Sequence, residues 1–337
     1  MVAVWMFNWP CLATIPSIFN AALAMMNISP SDWRSQLPTS KKPRKKTAPA
    51  KKSGGLANLR LESPDLRAME DYFRDLAGRS ADEALNRAQD FMYQAWEART
   101  TLSAVTLAKR ALKTSPLCAD AYVLLAERSA ASRADAKRLY ELAVKAGEMA
   151  LGPKGFKEYA GHFWGFLETR PYMRARAGLA QLLWDEGHHA ETVGHYQDML
   201  KLNPGDNQGL RYLLTACLLR MKDDAGLQQL LKEHSDDASA FMIYTQTLLA
   251  FRKEGASKKA EKLAKEAWQS NAHVPAALAG SKEVKFPGYY SMGGEDEAAY
   301  YLAEYGFAWR DTPGAIQWLV EATGNLKPKQ GWAGKLH

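Results

Sequence analysis

Apolar side chains follow a helical period along most of the chain from about residue 81 onwards. In residues 173–204, Ala177 and Leu183 fall on adjoining apolar faces of one helical segment. Gly187 then supplies the residue type that a tight turn favours, and Pro204 marks the point where a second apolar helical segment must stop. This stretch therefore predicts two consecutive amphipathic helices joined by a short turn.

The same order of helix, turn and helix recurs about five times between residues 85 and 275. Each copy alternates small and large apolar residues in a way that resembles a tetratricopeptide repeat, which is about 34 residues long. The resemblance implies an all-α fold, namely a right-handed α-solenoid of tetratricopeptide-like helix pairs over residues 63–280. Residues 281–337 are predicted to form a helical C-terminal cap and tail, because a solenoid must cover its last repeat.

In such a solenoid the first helix of each pair lines the concave side, where an extended peptide or a helix can bind. The side chains predicted there are mainly amides and aromatics, which can satisfy a peptide backbone and hold apolar side chains. The alternative is an inner face that is only solvated. The carboxylate clamp of chaperone-binding members is not reproduced, because Thr215 follows Arg211 where an Asn is expected. The predicted partner-binding residues are Asn86, Gln89, Tyr93, Trp96, Arg174, Gln181, Trp184, Asp185, Gln208, Arg211, Thr215 and Gln246.

Two segments do not follow the repeat. Residues 153–171 form an insert that is dense in aromatic side chains, which either pack against the solenoid or serve as an exposed anchor for a partner. In the C-terminal segment, Gly293 and Gly294 precede three acidic residues at 295–297, which suits the first turn of a helix. A cap over the open end of the solenoid is the leading interpretation of this segment, and a substrate pocket is the alternative.

Residues 1–31 carry no charged side chain. Within them, residues 2–26 are apolar enough to reach across a bilayer, for which about 20 residues suffice. Pro10 and Pro16 interrupt any helix in this stretch. The segment is therefore interpreted as a disordered start, a mis-assigned start or a membrane anchor.

The net charge of +7 is concentrated in one short segment. Residues 33–61 carry nine basic side chains and no acidic one, so the rest of the chain is near neutral and shows no electrostatic footprint for specific nucleic acid binding. Residues 32–62 are predicted to be a disordered linker, because they hold too little apolar surface to fold. Residues 41–52 within it can contact anionic lipid. We predict a cytoplasmic protein; the alternative is membrane association through residues 2–26, with the body facing the cytoplasm.

Known catalytic motifs are absent from the sequence. His188 and His189 fall in a predicted turn and His195 on the exposed face of the next helix, so these histidines do not converge with cysteine or carboxylate ligands. The three cysteines lack paired or metal-ligand spacing, and Cys118 and Cys217 fall on helix faces as small core residues. We therefore predict no enzyme activity, no cofactor and no metal.

Two short stretches are more specific than a general repeat. Residues 118–127 read CADAYVLLAE, and residues 134–148 read ADAKRLYELAVKAGE. They resemble the suppressor of tumorigenicity 7 family, and the resemblance extends over roughly residues 85–250. It implies a helical-repeat interaction protein without established catalytic residues. Eukaryotic members of that family also have N-terminal membrane segments, which bears on residues 2–26.

Three functions follow as hypotheses. The leading one is a non-catalytic scaffold that binds a protein or peptide in the concave groove. The alternative is a membrane-tethered assembly or regulatory factor anchored through residues 2–26. A weaker alternative is an enzyme of unknown class in the C-terminal aromatic segment. The sequence leaves the partner and the oligomeric state open.

Overall fold

A computed structural model describes residues 81–280 and 291–324. Within these two ranges the chain forms thirteen helices and no strand. In chain order they are α1 (Ala81–Trp96), α2 (Thr101–Thr114), α3 (Ala119–Arg128), α4 (Arg133–Tyr159), α5 (Arg170–Asp185), α6 (His189–Leu202), α7 (Leu210–Met221), α8 (Asp224–Glu233), α9 (Ala240–Glu254), α10 (Lys258–Ser270), α11 (Val274–Leu278), α12 (Glu295–Arg310) and α13 (Ala315–Thr323). The predicted all-α class is confirmed for this part of the chain. The predictions for residues 1–31 and 32–62, including the membrane anchor, lie outside the described residues.

The chain divides into two compact units, and within each unit most helices that follow one another in sequence pack against each other. Of the described residues, 81–159 and 166–182 form the N-terminal unit, and the others form the C-terminal unit. Helix α5 spans the division, which falls after Leu182. None of the helices in residues 81–280 and 291–324 is both long and apolar enough to cross a membrane.

Alanine side chains let α1 and α2 of the N-terminal unit approach closely. Helix α2 begins where Thr100 accepts a hydrogen bond from the backbone N–H of Ser103, at 3.2 Å, which satisfies a donor that the first turn leaves unpaired. One face of each helix is then buried in the common core. The fully buried residues that α1 and α2 contribute to this core are Ala88, Met92, Ala95, Ala104, Ala108 and Ala111.

Helices α4 and α5 of the N-terminal unit meet at a glycine. The ring of Tyr140 lies directly against Gly178, and a Cβ added at this glycine would overlap the ring. Helix α4 also contains a break at Gly152, where φ is +57° and Pro153 follows. Residues 153–159, the start of the predicted aromatic insert, therefore form a separate short helical stretch.

The rest of the insert is partly packed and partly exposed. In the C-terminal unit Phe163 is fully buried, and its backbone N–H and that of Gly161 donate to the carbonyl of Leu202 at 3.3 and 2.9 Å. In the N-terminal unit Phe166 and Leu167 are 42 and 59 % exposed. Packing therefore accounts for Phe163, whereas a role of the exposed residues as an anchor for a partner stays a prediction.

Helices α12 and α13 are the last two described helices of the C-terminal unit. Helix α12 begins at Glu295, where the acidic turn predicted a helix start, and it packs against α7, α9 and α11. Helix α13 packs against α10, α11 and α12. The largest fully buried side chains of the unit include Trp309, Tyr196, Tyr244 and Tyr301.

Candidate interaction surface

A buried carboxylate joins three helices of the N-terminal unit. Asp120, in the first turn of α3, has a fully buried side chain. Arg174 of α5 donates to both of its oxygens, from Nε to Oδ1 at 2.7 Å and from Nη2 to Oδ2 at 2.6 Å. Gln89 of α1 donates from Nε2 to Oδ2 at 2.8 Å. The two-point geometry fixes the guanidinium plane, and burial makes each of these hydrogen bonds stronger than it would be in water.

An aromatic pair lies beside this ion pair. The Arg174 guanidinium is centred 5.3 Å from the middle of the Trp96 ring, within the range of a cation–π contact. Tyr93 meets Trp96 edge to face, with ring centres 5.6 Å apart, and Tyr93 remains 40 % exposed. We call Gln89, Tyr93, Trp96 and Arg174, arranged around Asp120, the Trp96 surface.

The electrostatics of the Trp96 surface are set by burial. Burial raises the pKa of the Tyr93 hydroxyl, and the positive charge of Arg174 opposes this shift. Loss of water lowers the pKa of the Arg170 guanidinium, one helical turn before Arg174, and repulsion from Arg174 lowers it further. Burial also raises the pKa of the Cys118 thiol to about 12, so this cysteine is protonated at neutral pH and is a poor nucleophile.

A second ion-pair cluster lies in the C-terminal unit around Arg211 of α7. Its Nε donates to Asp237 Oδ2 at 2.6 Å, and its Nη1 donates to Asp206 Oδ2 at 2.9 Å. Its Nη2 donates to the hydroxyl of Tyr212 at 2.8 Å, and that hydroxyl donates to Asp237 Oδ2, also at 2.8 Å. The guanidinium is thus engaged by neighbouring groups of the same unit, and its side chain is 20 % exposed.

Helix α12 covers the neighbouring part of α7. The hydroxyl of Tyr305 donates to the backbone carbonyl of Tyr212 at 2.7 Å. Thr215 is fully buried, and its hydroxyl donates to the carbonyl of Arg211 at 2.8 Å. Thr215, which the sequence predicted as a partner-binding residue, therefore packs in the interior of the C-terminal unit.

The predicted partner-binding residues thus have different environments. The structure brings four of them together in the Trp96 surface. In the N-terminal unit the other two are Asn86, which is exposed, and Gln181, which is partly buried. In the C-terminal unit Trp184 and Asp185 are partly buried, Gln208 is 8 % exposed, Gln246 is exposed, and Arg211 and Thr215 lie as described above.

The sequence did not indicate that two carboxylates are buried and join separate elements of the structure. One is Asp120, whose only sequence signal is an acidic residue in the otherwise apolar start of α3. The other is Glu297 of α12, which is fully buried and accepts hydrogen bonds from the backbone N–H of Ala240 at 2.8 Å and of Gly293 at 2.6 Å. It also accepts from Nδ2 of Asn271 at 2.9 Å.

Two histidines of the predicted cluster, His188 and His189, contact residues that are close to them in sequence. The His189 ring lies 4.1 Å from the Trp184 ring, and His188 Nε2 lies 3.9 Å from a carboxylate oxygen of Glu186. In the part of the chain that the structure describes, no three side chains among His, Cys, Asp and Glu are grouped so that they could hold a metal ion.

Comparison with known proteins assigns the family. The sequence profile of the family described as ST7 protein matches residues 79–327, which is most of the chain and includes both units. The chain belongs to the ST7 family. The resemblance of residues 118–127 and 134–148 to this family is thereby confirmed.

Several curated relatives of the ST7 family align with most of the chain. The chicken suppressor of tumorigenicity 7 protein-like is 28 % identical over 262 residues, which cover 70 % of this chain and 47 % of the relative. The human suppressor of tumorigenicity 7 protein-like is 27 % identical over 260 residues, which cover 70 % and 45 %. The suppressor of tumorigenicity 7 protein of Macaca fascicularis is 29 % identical over 234 residues, which cover 62 % and 43 %. The chain thus spans less than half the length of these relatives.

Proposed function

We propose that the protein is a non-catalytic scaffold that binds a peptide or a helix of a partner protein at the Trp96 surface. The proposal includes a tetratricopeptide-like solenoid. It is supported by the packing of α1 with α2, α3 with α4, α7 with α8 and α9 with α10 as consecutive pairs. In such a solenoid the first helix of each pair faces the concave side. The sequence pattern predicts α1, α3 and α5 as first helices, and these three helices carry the Trp96 surface.

The observation that carries the proposal is an exposed aromatic residue held beside a preorganised guanidinium. Tyr93 is 40 % exposed and rests against Trp96, while Asp120 fixes Arg174 in one orientation. Tyrosine, tryptophan and arginine are the residue types that contribute most binding energy at protein interfaces. Because these side chains are already ordered, less entropy is lost when a partner binds.

The test is partner capture by the full-length chain that carries a photo-crosslinking amino acid in place of Tyr93. The matched control places the same amino acid at Lys113, an exposed position in the last turn of α2. We expect a protein that crosslinks from position 93 and not from position 113, and whose measured affinity falls about tenfold or more with Trp96→Ala. Equal crosslinking from both positions, or an affinity unchanged by Trp96→Ala, would contradict the proposal.

A further inference from the structure

Helix α12 of the C-terminal unit packs on two helices that lie much earlier in the chain, α7 and α9, as well as on its neighbours in sequence. Helix α12 packs on α7 and α9 and buries Tyr301 and Tyr305, which are four residues apart and therefore on one face. The ring centre of Phe241 on α9 is 5.7 Å from that of Tyr301 and 5.0 Å from that of Tyr305. Tyr244, also on α9, lies 5.7 Å from Tyr301. The face of α7 and α9 thus holds a helix through two tyrosines spaced by one turn.

Polar contacts fasten both ends of α12 to this face. At its start, Glu297 accepts from the backbone N–H of Ala240, the first residue of α9. At its end, Arg252 of α9 donates from Nη2 to the carbonyl of Ala308 at 3.3 Å and from Nε to Oγ1 of Thr312 at 3.0 Å. Arg252 thereby satisfies a carbonyl that the last turn of a helix leaves without an intrahelical partner. These contacts position α12 along the face as well as burying it.

In the proposed solenoid, α7 with α8 and α9 with α10 form two repeats, so α7 and α9 are the first helices of their pairs. In the proposed solenoid, α12 therefore occupies the side on which a ligand is expected. We propose that the face of α7 and α9 is a helix-binding site and that α12 is its intramolecular ligand. By occupying the site, α12 closes it to any partner helix that carries tyrosines four residues apart. This inference concerns the C-terminal unit, so its test does not depend on whether the Trp96 surface binds a partner.

The test uses a fluorescent synthetic peptide of residues 294–312 and the full-length chain. If α12 leaves its site in only about 1 % of molecules, a peptide that competes with α12 binds about 100-fold more weakly than it would bind to the open site. We therefore expect the wild-type chain to bind the peptide weakly. The double variant Tyr301→Ala and Tyr305→Ala, which weakens α12 and leaves α7 and α9 intact, should bind it about 100-fold more tightly. The matched control Ala303→Ser changes an exposed residue of the same helix and should behave as the wild type does.

Specificity is tested with a second peptide in which both tyrosines are replaced by alanine. This peptide should not bind to the double variant. Equal binding of the two peptides, or equal binding of the first peptide to the wild-type chain and to a folded double variant, would overturn the inference.

The wild-type chain gives a second measurement that needs no variant. Excess tyrosine-containing peptide should displace α12, so hydrogen exchange of the α12 amides should accelerate while exchange in α7 and α9 stays slow. If α12 exchanges at the same rate with and without saturating peptide, α12 is a permanent part of the core and not a ligand.

Discussion

Replacing Asp120 by alanine tests whether one buried carboxylate holds the Trp96 surface together. The substitution removes the counter-charge from Arg174, whose side chain is only 11 % exposed, and it also removes the acceptor of the Gln89 amide. Breaking a buried, two-point ion pair by removing one partner costs about 3–5 kcal/mol, because desolvation of the remaining charge is no longer offset. This is a large share of the roughly 5–15 kcal/mol that stabilises an ordinary domain. We therefore expect α1, α3 and α5 to lose most of their protection.

Two measurements give the effect. Hydrogen exchange of the backbone amides reports the loss of protection in each helix, and urea unfolding reports the free energy of unfolding. The matched control is Glu83→Ala, which removes an ion pair of 2.8 Å between Glu83 and Arg87 whose side chains are 70 and 59 % exposed. That pair should contribute less than about 1 kcal/mol, because water and salt screen it. A loss below about 1 kcal/mol for Asp120→Ala would refute the reasoning. The reasoning would also be refuted if the helices that lost protection were α9 and α10 instead of α1, α3 and α5.

Three further predictions concern single residues. Burial raises the pKa of Glu304 from 4.5 to about 7, so the folded state binds an extra proton between these values and stability falls as the pH rises through that window. Between pH 4.5 and 8 the free energy of unfolding should fall by roughly 3 kcal/mol less in Glu304→Gln than in the wild-type chain, as measured by urea unfolding. An unchanged pH dependence in the variant would show that Glu304 is not its cause. Gly178→Ala should lower the free energy of unfolding by about 1–3 kcal/mol, because the added Cβ overlaps the ring of Tyr140. Gly194→Ala, where an added Cβ meets nothing within 4 Å, should be neutral or stabilising. Similar effects of the two substitutions in urea unfolding would contradict this prediction. Burial raises the pKa of the Cys118 and Cys217 thiols to about 12. A maleimide at pH 7.5 should therefore leave both cysteines unmodified until urea unfolds the chain, as mass spectrometry would show. Rapid modification of these two residues in the folded chain would contradict the prediction.

The helices could be predicted because each buries a periodic set of apolar side chains. In α10, Ala260, Ala264 and Ala267 follow a spacing of four and then three residues, and all three are fully buried. Such a pattern is local, so it can be read from one short stretch of sequence. Four residues of the Trp96 surface were predicted in the same way, from their positions in first helices.

Contacts between distant residues could not be predicted. Asp120 and Arg174 are 54 residues apart, and the helical period gives no information on which charge meets which. The contact between Tyr305 and Tyr212 spans 93 residues. The acidic residues 295–297 correctly predicted the start of a helix, but periodicity does not say that this helix packs against α7. For that reason Thr215 was predicted as a partner-binding residue, although it is buried.

The two hydrogen bonds from Gly161 and Phe163 to Leu202 have a consequence for how the chain can be divided. They join residues 160–165 to the C-terminal unit, to which these residues belong, although residues 166–182, which follow in sequence, belong to the N-terminal unit. Neither unit is therefore one continuous length of polypeptide. No single cut gives two complete fragments: a cut before residue 160 removes α5 from the N-terminal unit, and a cut after residue 182 removes Phe163 from the C-terminal unit. During synthesis, residues 160–165 of the C-terminal unit leave the ribosome before residues 166–182, which complete the N-terminal unit.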